Sequence, residues 1–175
     1  SNSLLFHPDV VRQSKPMPNR LAVLRDYVYA GGGFLMIGGY MSFAGVENKA
    51  RFHGTELEEM MPVDILDHDD RVEVPQGFCP NVVDPQHPVL QGLPDAFPTM
   101  LFYNQTTLKP DAQQLLVDDE GGRSAPVLAV RQYGQGRSGA FTPDCAPHGA
   151  TPEFLNWTYY GLFFANLIRW LGGEL

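Results

Sequence analysis

The spacing of apolar positions predicts a helix and then a buried strand in the first forty residues. A helix is expected over residues 20–30, with Asn19 as its N-cap. Its apolar residues recur at intervals of three and four positions: Leu21, Leu24 and Val28. Three glycines at 31–33 end this helix, and a continuous apolar run over 34–37 follows. Such a run is typical of a strand in a parallel sheet that helices cover on both faces, so the segment predicts the second half of a βαβ unit.

Shorter apolar segments predict the remaining sheet. A short helix is expected over 55–60, ended by Pro62, and the segment Leu4-Leu5-Phe6 indicates a short strand or its end. Further strands are expected over 63–66, 72–74, 101–104, 127–133 and 139–142. The tight turn Gly134-Gln135-Gly136 between the last two strands predicts an antiparallel hairpin.

The closing segment predicts one long helix. Thr151 is a candidate cap, Pro152 occupies the first helical position, and two glycines at 172–173 end the helix. The expected buried stripe consists of Trp157, Tyr160, Phe164, Leu167, Ile168 and Leu171. Because the other face is also apolar, the helix is expected to be covered on more than one side. Either the domain core or a second copy in a homo-oligomer would satisfy this expectation.

Length and charge restrict the function. The chain has 175 residues, which suits a single domain, and a net charge of −8 with only twelve lysines and arginines. This acidity argues against nucleic acid as a partner, because phosphate binding requires a basic surface. No apolar run is long enough to cross a membrane, and the amino terminus does not resemble a secretion signal, so we expect a cytoplasmic protein. Cys79 and Cys145 are then expected to be free thiols.

The first candidate for chemistry is the turn after the buried strand. Gly38, Gly39, Tyr40 and Ser42 lie there in an arrangement similar to a nucleophile elbow, in which glycines flank a side chain that a sharp turn raises above the sheet. Tyr40 occupies the nucleophile position, and Ser42 the place of the second glycine. The alternative, which we favour, is a glycine turn that allows a helix to pack closely.

The second candidate is the loop between the last strand and the last helix. It contains Asp144, Cys145 and His148, and strand ends of this kind are where open α/β sheets build their sites. His148 is a candidate general base, with Asp144 as its neighbour and Cys145 as an alternative nucleophile. The other interpretation is a proline-shaped loop whose histidine bonds to the backbone.

The acidic turn over residues 67–70 is the third candidate. Its carboxylates are suited to a hard metal ion, but it lacks the spaced ligands and glycine of an EF-hand loop. We interpret it as a solvated turn, and predict neither a metal site nor a cofactor.

Several short segments together resemble the class I glutamine amidotransferase-like family, in its branch of uncharacterised function related to ThuA-like proteins. They extend over nearly the whole chain: 24–28, 31–40, 69–73, 87–90, 133–137, 144–148 and 168–171. The resemblance implies a flavodoxin-like α/β sandwich, with a mostly parallel sheet, helices on both faces and a C-terminal β-hairpin. It also implies that residues 1–175 form one domain that lacks the family's first strand and helix.

The same resemblance implies which residues would act. Active members use an elbow cysteine with a histidine and a glutamate. Here Tyr40 stands at the cysteine's position, His148 matches the histidine, and no His-Pro-Glu triplet follows. We therefore expect no glutaminase activity, but binding or processing of a small polar, sugar-like metabolite. Gly38, Gly39 and Ser42 would contact this ligand. The alternatives are an assembly module on the same fold and a hydrolase that uses Cys145 and His148.

Overall fold

The structure is a computed structural model that describes residues 7–119, 124–147 and 149–175. The expected strand at 4–6 and the candidate base His148 lie outside these residues. The helices are α1 (Pro8–Gln13), α2 (Arg20–Tyr29), α3 (Glu56–Met60), α4 (Pro152–Leu155) and α5 (Tyr160–Leu171). The strands are β1 (Gly33–Ile37), β2 (Val63–Ile65), β3 (Arg71–Phe78), β4 (Asn81–Val82), β5 (Met100–Asn104), β6 (Thr106–Leu108), β7 (Gln113–Asp118), β8 (Ala125–Tyr133) and β9 (Gly136–Phe141).

Five strands form the central sheet of this mixed α/β fold, in the order β1-β9-β8-β7-β4. β1 pairs with β9 in parallel, while β9–β8, β8–β7 and β7–β4 are antiparallel pairs. The hairpin predicted at Gly134-Gln135-Gly136 is confirmed, since Tyr133 and Gly136 are its last paired residues.

The mostly parallel sheet expected from the sequence is not what the described residues form. Only β1 fits that expectation, since its pairing with β9 is parallel. The strands β7, β8 and β9 follow one another along the chain through short connections. A short connection allows only antiparallel pairing, since a parallel pair requires a crossover of a dozen residues or more. Strand β7, which contributes to two of the antiparallel pairs, has no counterpart in the sequence prediction.

Apolar side chains on the two faces of the sheet belong to two separate cores. On one face, Met36 and Ala140 pack with residues of α2 and α3. On the other face, Phe141 and Leu128 pack with α5. Neighbouring residues of a strand point to opposite faces, so Ala140 and Phe141 divide between the two cores. Helices therefore cover both faces, as the sequence predicted.

Helix α2 and strand β1 agree closely with prediction. The Asn19 side chain accepts hydrogen bonds from the amides of Leu21 and Ala22 and caps the helix. Of the strand residues, however, only Met36 is buried. β1 has a single partner in the described sheet and lies at its edge, which explains why it is less covered than its sequence suggests.

The closing segment forms two helices, not the single helix predicted. Thr151 caps α4 as expected, but α4 ends at Leu155, and the Asn156 side chain donates to the Pro152 carbonyl at 2.7 Å. This interruption rotates the buried face of α5 relative to the predicted stripe. Ile168 is 61% exposed, whereas Phe163 and Trp170, which lie outside that stripe, are buried.

Two small antiparallel ladders lie beside the central sheet. β2 pairs with β6, and β3 pairs with β5 so that Glu73 lies opposite Phe102. The second ladder forms a wall of the site described below. Among the described residues, no helix has the length and apolar character needed to cross a membrane.

Candidate functional site

The ends of the parallel strands β1 and β9 meet in a tight backbone junction. The Gly38 amide donates to the Phe141 carbonyl at 2.8 Å and lies 3.1 Å from the Pro143 carbonyl oxygen. A Cβ atom on residue 38 would lie 1.8 Å from the Thr142 carbonyl oxygen. Only glycine fits such a position, so the junction determines where both following loops begin.

The turn after β1 differs from a nucleophile elbow. Gly39 has a φ of +147° and Phe43 a φ of +52°, so the unusual backbone angles lie on either side of Tyr40. An elbow passes directly from a strand into a helix. Here the chain continues as a loop and forms only a short 3-10 helix at Val46–Asn48.

Asn104, at the end of β5, anchors this turn. Its side-chain oxygen accepts from the Gly39 amide at 2.8 Å, and its amide nitrogen donates to the Gly39 carbonyl at 3.2 Å. Its backbone amide donates to the Thr142 carbonyl at 3.0 Å. Asn104 has 0% exposure, so it fixes both strand-end loops from inside the protein.

Asp70 is a buried carboxylate that holds the rest of the same turn. Its two oxygens accept from the amides of Ala44 at 2.8 Å and Gly45 at 3.0 Å, and from the Asn104 side chain at 2.8 Å. The side chain is 1% exposed. Burial raises the pKa of Asp70, and these hydrogen bonds partly oppose that shift.

The other residues of the acidic turn also form hydrogen bonds and an ion pair with protein groups. Asp69 pairs with Arg71 at 2.7 Å and accepts from the Glu47 amide at 3.0 Å, and the Arg71 guanidinium lowers the pKa of Asp69. The Asn48 side chain donates to the Asp67 carbonyl at 2.7 Å. The turn thus fastens the loop after β1 and is not simply solvated. In residues 7–119, 124–147 and 149–175, no group of three or more histidines, cysteines and acids is arranged to hold a metal ion.

A cleft of about 230 Å³ lies where the strand-end loops meet the β3–β5 ladder. Its lining residues come from both loops and from that ladder: Gly39, Tyr40, Glu73, Pro75, Leu101, Phe102, Asp144 and Gly149. Two separate sequence predictions, Tyr40 and Asp144, therefore lie in one cleft.

Tyr40 forms an aromatic corner of the cleft. Its ring meets the Phe102 ring edge-to-face, with centroids 5.6 Å apart, and the Arg71 guanidinium carbon lies 5.7 Å from its centroid. Its hydroxyl lies 3.5 Å from a Glu73 carboxylate oxygen. The side chain is 42% exposed, so a bound molecule has access to it.

Asp144 lies on the opposite loop. One oxygen accepts from the Ala146 amide at 2.9 Å, and a Cβ atom on Gly149 would lie 2.8 Å from the other. His148 lies outside the described residues, so its role as a general base stays a prediction.

Cys145 lies in surroundings unlike those of a reactive thiol. It packs against the core on the α5 side, and its carbonyl accepts from the Tyr160 hydroxyl at 2.7 Å. Burial, and secondarily the charge of Asp144, raises the pKa of Cys145, whereas a reactive thiol requires a lowered one. It is not among the residues that line the cleft. Cys145 and Cys79 are both free thiols, as expected.

Of the other residues predicted to contact a ligand, one lines the cleft and two lie behind or beside it. Gly39 lines the cleft, while Gly38 is buried in the junction behind it. The Ser42 amide donates to the Gly39 carbonyl at 3.2 Å, and Ser42 is not a lining residue.

The wall of the cleft was not predicted from the sequence. Glu73, Pro75, Leu101 and Phe102 belong to two strands that pair across a long separation in sequence. One signal was available, since Glu73 interrupts an apolar strand pattern between Val72 and Val74. The pairing that brings this strand to the cleft cannot be inferred from spacing.

The comparisons place this fold among known proteins. The model of the GATase1-like family, described as "Putative glutamine amidotransferase", matches residues 1–173. A cytoplasmic protein from Salmonella typhimurium is 40% identical, covers 97% of this chain and 67% of its own, and superimposes with a TM-score of 0.90. A second cytoplasmic protein, from Salmonella typhimurium LT2, is 37% identical with the same coverage and a TM-score of 0.91.

A ThuA-like protein from Parabacteroides merdae has a related fold. Its TM-score is 0.63 at 14% identity, over 92% of this chain and 68% of that one. No curated protein matches the chain. Because the family model covers nearly all residues and two relatives exceed 35% identity, the chain belongs to the GATase1-like family of glutamine amidotransferase-like proteins.

Proposed function

We propose that this protein is a glutamine amidotransferase-like protein without the cysteine nucleophile, and that its cleft binds a small polar, sugar-like metabolite. The observation that carries the proposal is that Tyr40 and Asp144, which follow the parallel strands β1 and β9, line one cleft. Ligands of open α/β sheets bind at the carboxyl ends of strands, which is where this cleft lies.

The absence of amidotransferase chemistry is supported by the residues at the turn. The family resemblance assigns Tyr40 to the position of the family's cysteine, and a phenol is a weaker nucleophile than a thiolate. Cys145 does not line the cleft, and burial raises its pKa. We expect the purified protein to release no ammonia from glutamine. Ammonia release that Tyr40→Phe abolishes would contradict this part of the proposal.

The lining chemistry supports a polyhydroxyl ligand. The Glu73 and Asp144 carboxylates accept hydrogen bonds, as sugar hydroxyls require. The Tyr40 and Phe102 rings offer apolar faces to the C–H groups of a sugar ring. Small-molecule sites commonly combine an apolar wall with a few such polar groups.

The test begins with a thermal-shift screen of neutral, cationic and anionic sugars and related metabolites, followed by calorimetry. For any ligand found, Tyr40→Ala should weaken binding by about tenfold or more, since an aromatic contact contributes on the order of 1–2 kcal/mol. Tyr27→Ala is the matched control, because Tyr27 is an exposed tyrosine on α2 that does not line the cleft. His148→Ala tests the sequence-based assignment of His148.

The assignment fails if Tyr40→Ala and His148→Ala bind every ligand as tightly as the wild type. If Tyr40→Ala weakens binding and His148→Ala does not, the cleft remains the binding site and His148 is not part of it.

An assembly module is the second candidate, and the outer face of α5 favours it. Leu162 and Ile168 are exposed there, next to Ala165. Light scattering over a concentration series distinguishes the two functions. A dimer that Ile168→Glu dissociates would support assembly, whereas a monomer at all concentrations would oppose it.

A further inference from the structure

One wall of the cleft is connected to a buried acid through a single side chain. Asn104 accepts a hydrogen bond from the amide of the lining residue Gly39 and donates to its carbonyl. The same side-chain nitrogen of Asn104 donates to Asp70 at 2.8 Å, and both residues are almost completely buried. A change in how Asp70 accepts this bond is therefore transmitted to Gly39, the residue before Tyr40.

The loop that follows this turn has a backbone that other contacts must hold in place. Phe43, Glu47, Asn48 and Arg51 all have φ angles between +51° and +59°, a region that residues other than glycine rarely adopt. Such angles persist only where the surrounding structure maintains them. Asp70 accepts hydrogen bonds from two amides of this loop, at 2.8 Å and 3.0 Å. The loop is therefore expected to rearrange when these bonds weaken.

A proton on Asp70 weakens the hydrogen bonds that it accepts. Its Oδ1 accepts from Gly45 and Asn104, and its Oδ2 accepts from Ala44. With an ionised acid these bonds are charge-assisted, which makes them about twice as strong as neutral ones. Protonation removes the charge and turns one oxygen into a donor. Burial raises the pKa of Asp70, so this change occurs at a higher pH than in an exposed aspartate.

We infer that the cleft contains a pH switch, in which protonation of Asp70 releases the turn at Gly39 and Tyr40 through Asn104. The inference adds regulation by pH to the proposed function, and rests on that function for its effect on ligand binding. The change in the turn itself requires no ligand.

The charged side chains around Asp70 contact one another in pairs: Asp69 with Arg71, Glu47 with Lys49, and Asp67 with His68. Glu73 follows on β3, while Asn104 of β5 is neutral. Hydrogen bonds from Arg71 and Lys49 lower the pKa of Asp69 and Glu47, so these acids stay charged while Asp70 gains its proton. Histidines ordinarily change charge between about pH 5 and about pH 8, so His68 requires a control.

A pH titration followed by nuclear magnetic resonance tests the switch in the labelled protein without any ligand. Between about pH 8 and about pH 4, the carboxyl carbon of Asp70 should show a midpoint above the value of about 4 for an exposed aspartate. The amides of Ala44 and Gly45 and, through Asn104, that of Gly39 should shift with the same midpoint. Hydrogen-exchange protection of the Gly39 amide should fall about tenfold below that midpoint, which corresponds to the loss of roughly one hydrogen bond.

Three variants identify the group that titrates and the route to the cleft. Asp70→Asn keeps the shape of the side chain and should leave all three amides unresponsive to pH. His68→Gln, at an exposed position of the same turn, is the matched control and should keep the shifts and their midpoint. Asn104→Ser should leave the shifts of the two loop amides and remove that of Gly39. The carbon midpoint of Asp70 is read in the unchanged protein, so the test does not depend on the folding of a variant.

Several outcomes would overturn the switch. A Gly39 amide that stays constant while those of Ala44 and Gly45 shift removes the route through Asn104. A common midpoint that differs from that of the Asp70 carbon, or that disappears in His68→Gln, assigns the proton to another group. These results leave the proposed function standing, because that function is decided separately by the effect of Tyr40→Ala on ligand binding.

Discussion

Carboxylates on the two sides of the loop after β1 have opposite surroundings. Behind the loop, Asp70 is almost completely buried and accepts hydrogen bonds from two backbone amides and one side-chain amide. In front of it, the Glu73 side chain is exposed and Asp144 is half-buried, and both line an open cleft. Asp70 and Glu73 are only three residues apart in sequence.

Burial and the hydrogen-bond donors nearby therefore determine whether an acid stabilises the fold or lines a cleft. A buried carboxylate costs free energy unless donors surround it, and Asp70 has these donors because Asn104 and the turn amides converge on it. The acids in the cleft instead face a space that a ligand can occupy. We therefore expect the acid behind the loop to determine stability and those in the cleft to determine binding.

The largest loss of stability is expected at the junction of the β1 and β9 strand ends, which supports both regions. Gly38→Ala places a Cβ atom against the backbone of residues 142–143, so we expect a loss of about 3 kcal/mol or more in the free energy of unfolding. Gly161→Ala in α5 is the control, because a Cβ atom there meets nothing within 4 Å. Urea denaturation should show no loss for the control. Equal stability of the two variants would mean that the strand ends do not approach as described.

Removing the buried acid should have the next largest effect. Asp70→Ala leaves the Ala44 and Gly45 amides without their acceptor, and such losses total about 3 kcal/mol. Asp67→Ala, at an exposed position in the same acidic turn, should change the free energy of unfolding by less than about 0.5 kcal/mol. If the two variants lose the same stability, the distinction between buried and exposed acids in this turn is wrong.

The stability that Asp70 contributes should also depend on pH. Since burial raises the folded-state pKa of Asp70, the folded protein takes up a proton before the unfolded chain does. Asp70 therefore contributes stability that is fully present below its unfolded pKa of about 4 and that is lost as the pH rises through its folded pKa. The stability difference between wild type and Asp70→Asn should widen as the pH falls from about 7 toward about 4. The lowered pKa of Asp69 acts in the opposite direction, but equally in both proteins.

That widening is measured by urea denaturation at several pH values in this range. A difference that stays constant or narrows on acidification would show that burial of Asp70 does not control its ionisation.

The smallest change in stability is expected from the acids in the cleft. Glu73→Gln and Asp144→Asn keep the shape of each side chain, and the asparagine side chain of the second variant retains an oxygen that can accept from the Ala146 amide. Each should shift the free energy of unfolding by less than about 0.5 kcal/mol while changing ligand affinity. A large loss of stability without any change in binding would give these residues a structural role.

Local signals in the sequence predicted the elements with short-range causes. The Asn19 cap, the helix over 20–30 and the glycine hairpin depend on neighbouring residues and are confirmed. The pairing of β3 with β5 depends on contacts between distant segments, which composition and spacing do not encode. The closing helix was predicted as continuous because an apolar pattern does not reveal that Asn156 ends its first turns.

The candidate site was predicted in part for the same reason. Tyr40 and Asp144 lie at strand ends, and a general rule of α/β sheets places them together. The importance of Asp70 was missed, because in sequence it is one of three aspartates in an acidic turn. Only the folded chain distinguishes the carboxylate that the turn amides surround from its exposed neighbours.

The parallel pairing of β1 with β9 has a consequence for the order of folding. β7, β8 and β9 are joined by short connections and can assemble early, whereas β1 is complete at Ile37 and its partner begins only at Gly136. Closing so long a loop is slow, because its entropy is lost before the contacts form. We expect pulse-labelled hydrogen exchange to protect the β8–β9 amides before those of β1, so that the cleft is completed in the last step.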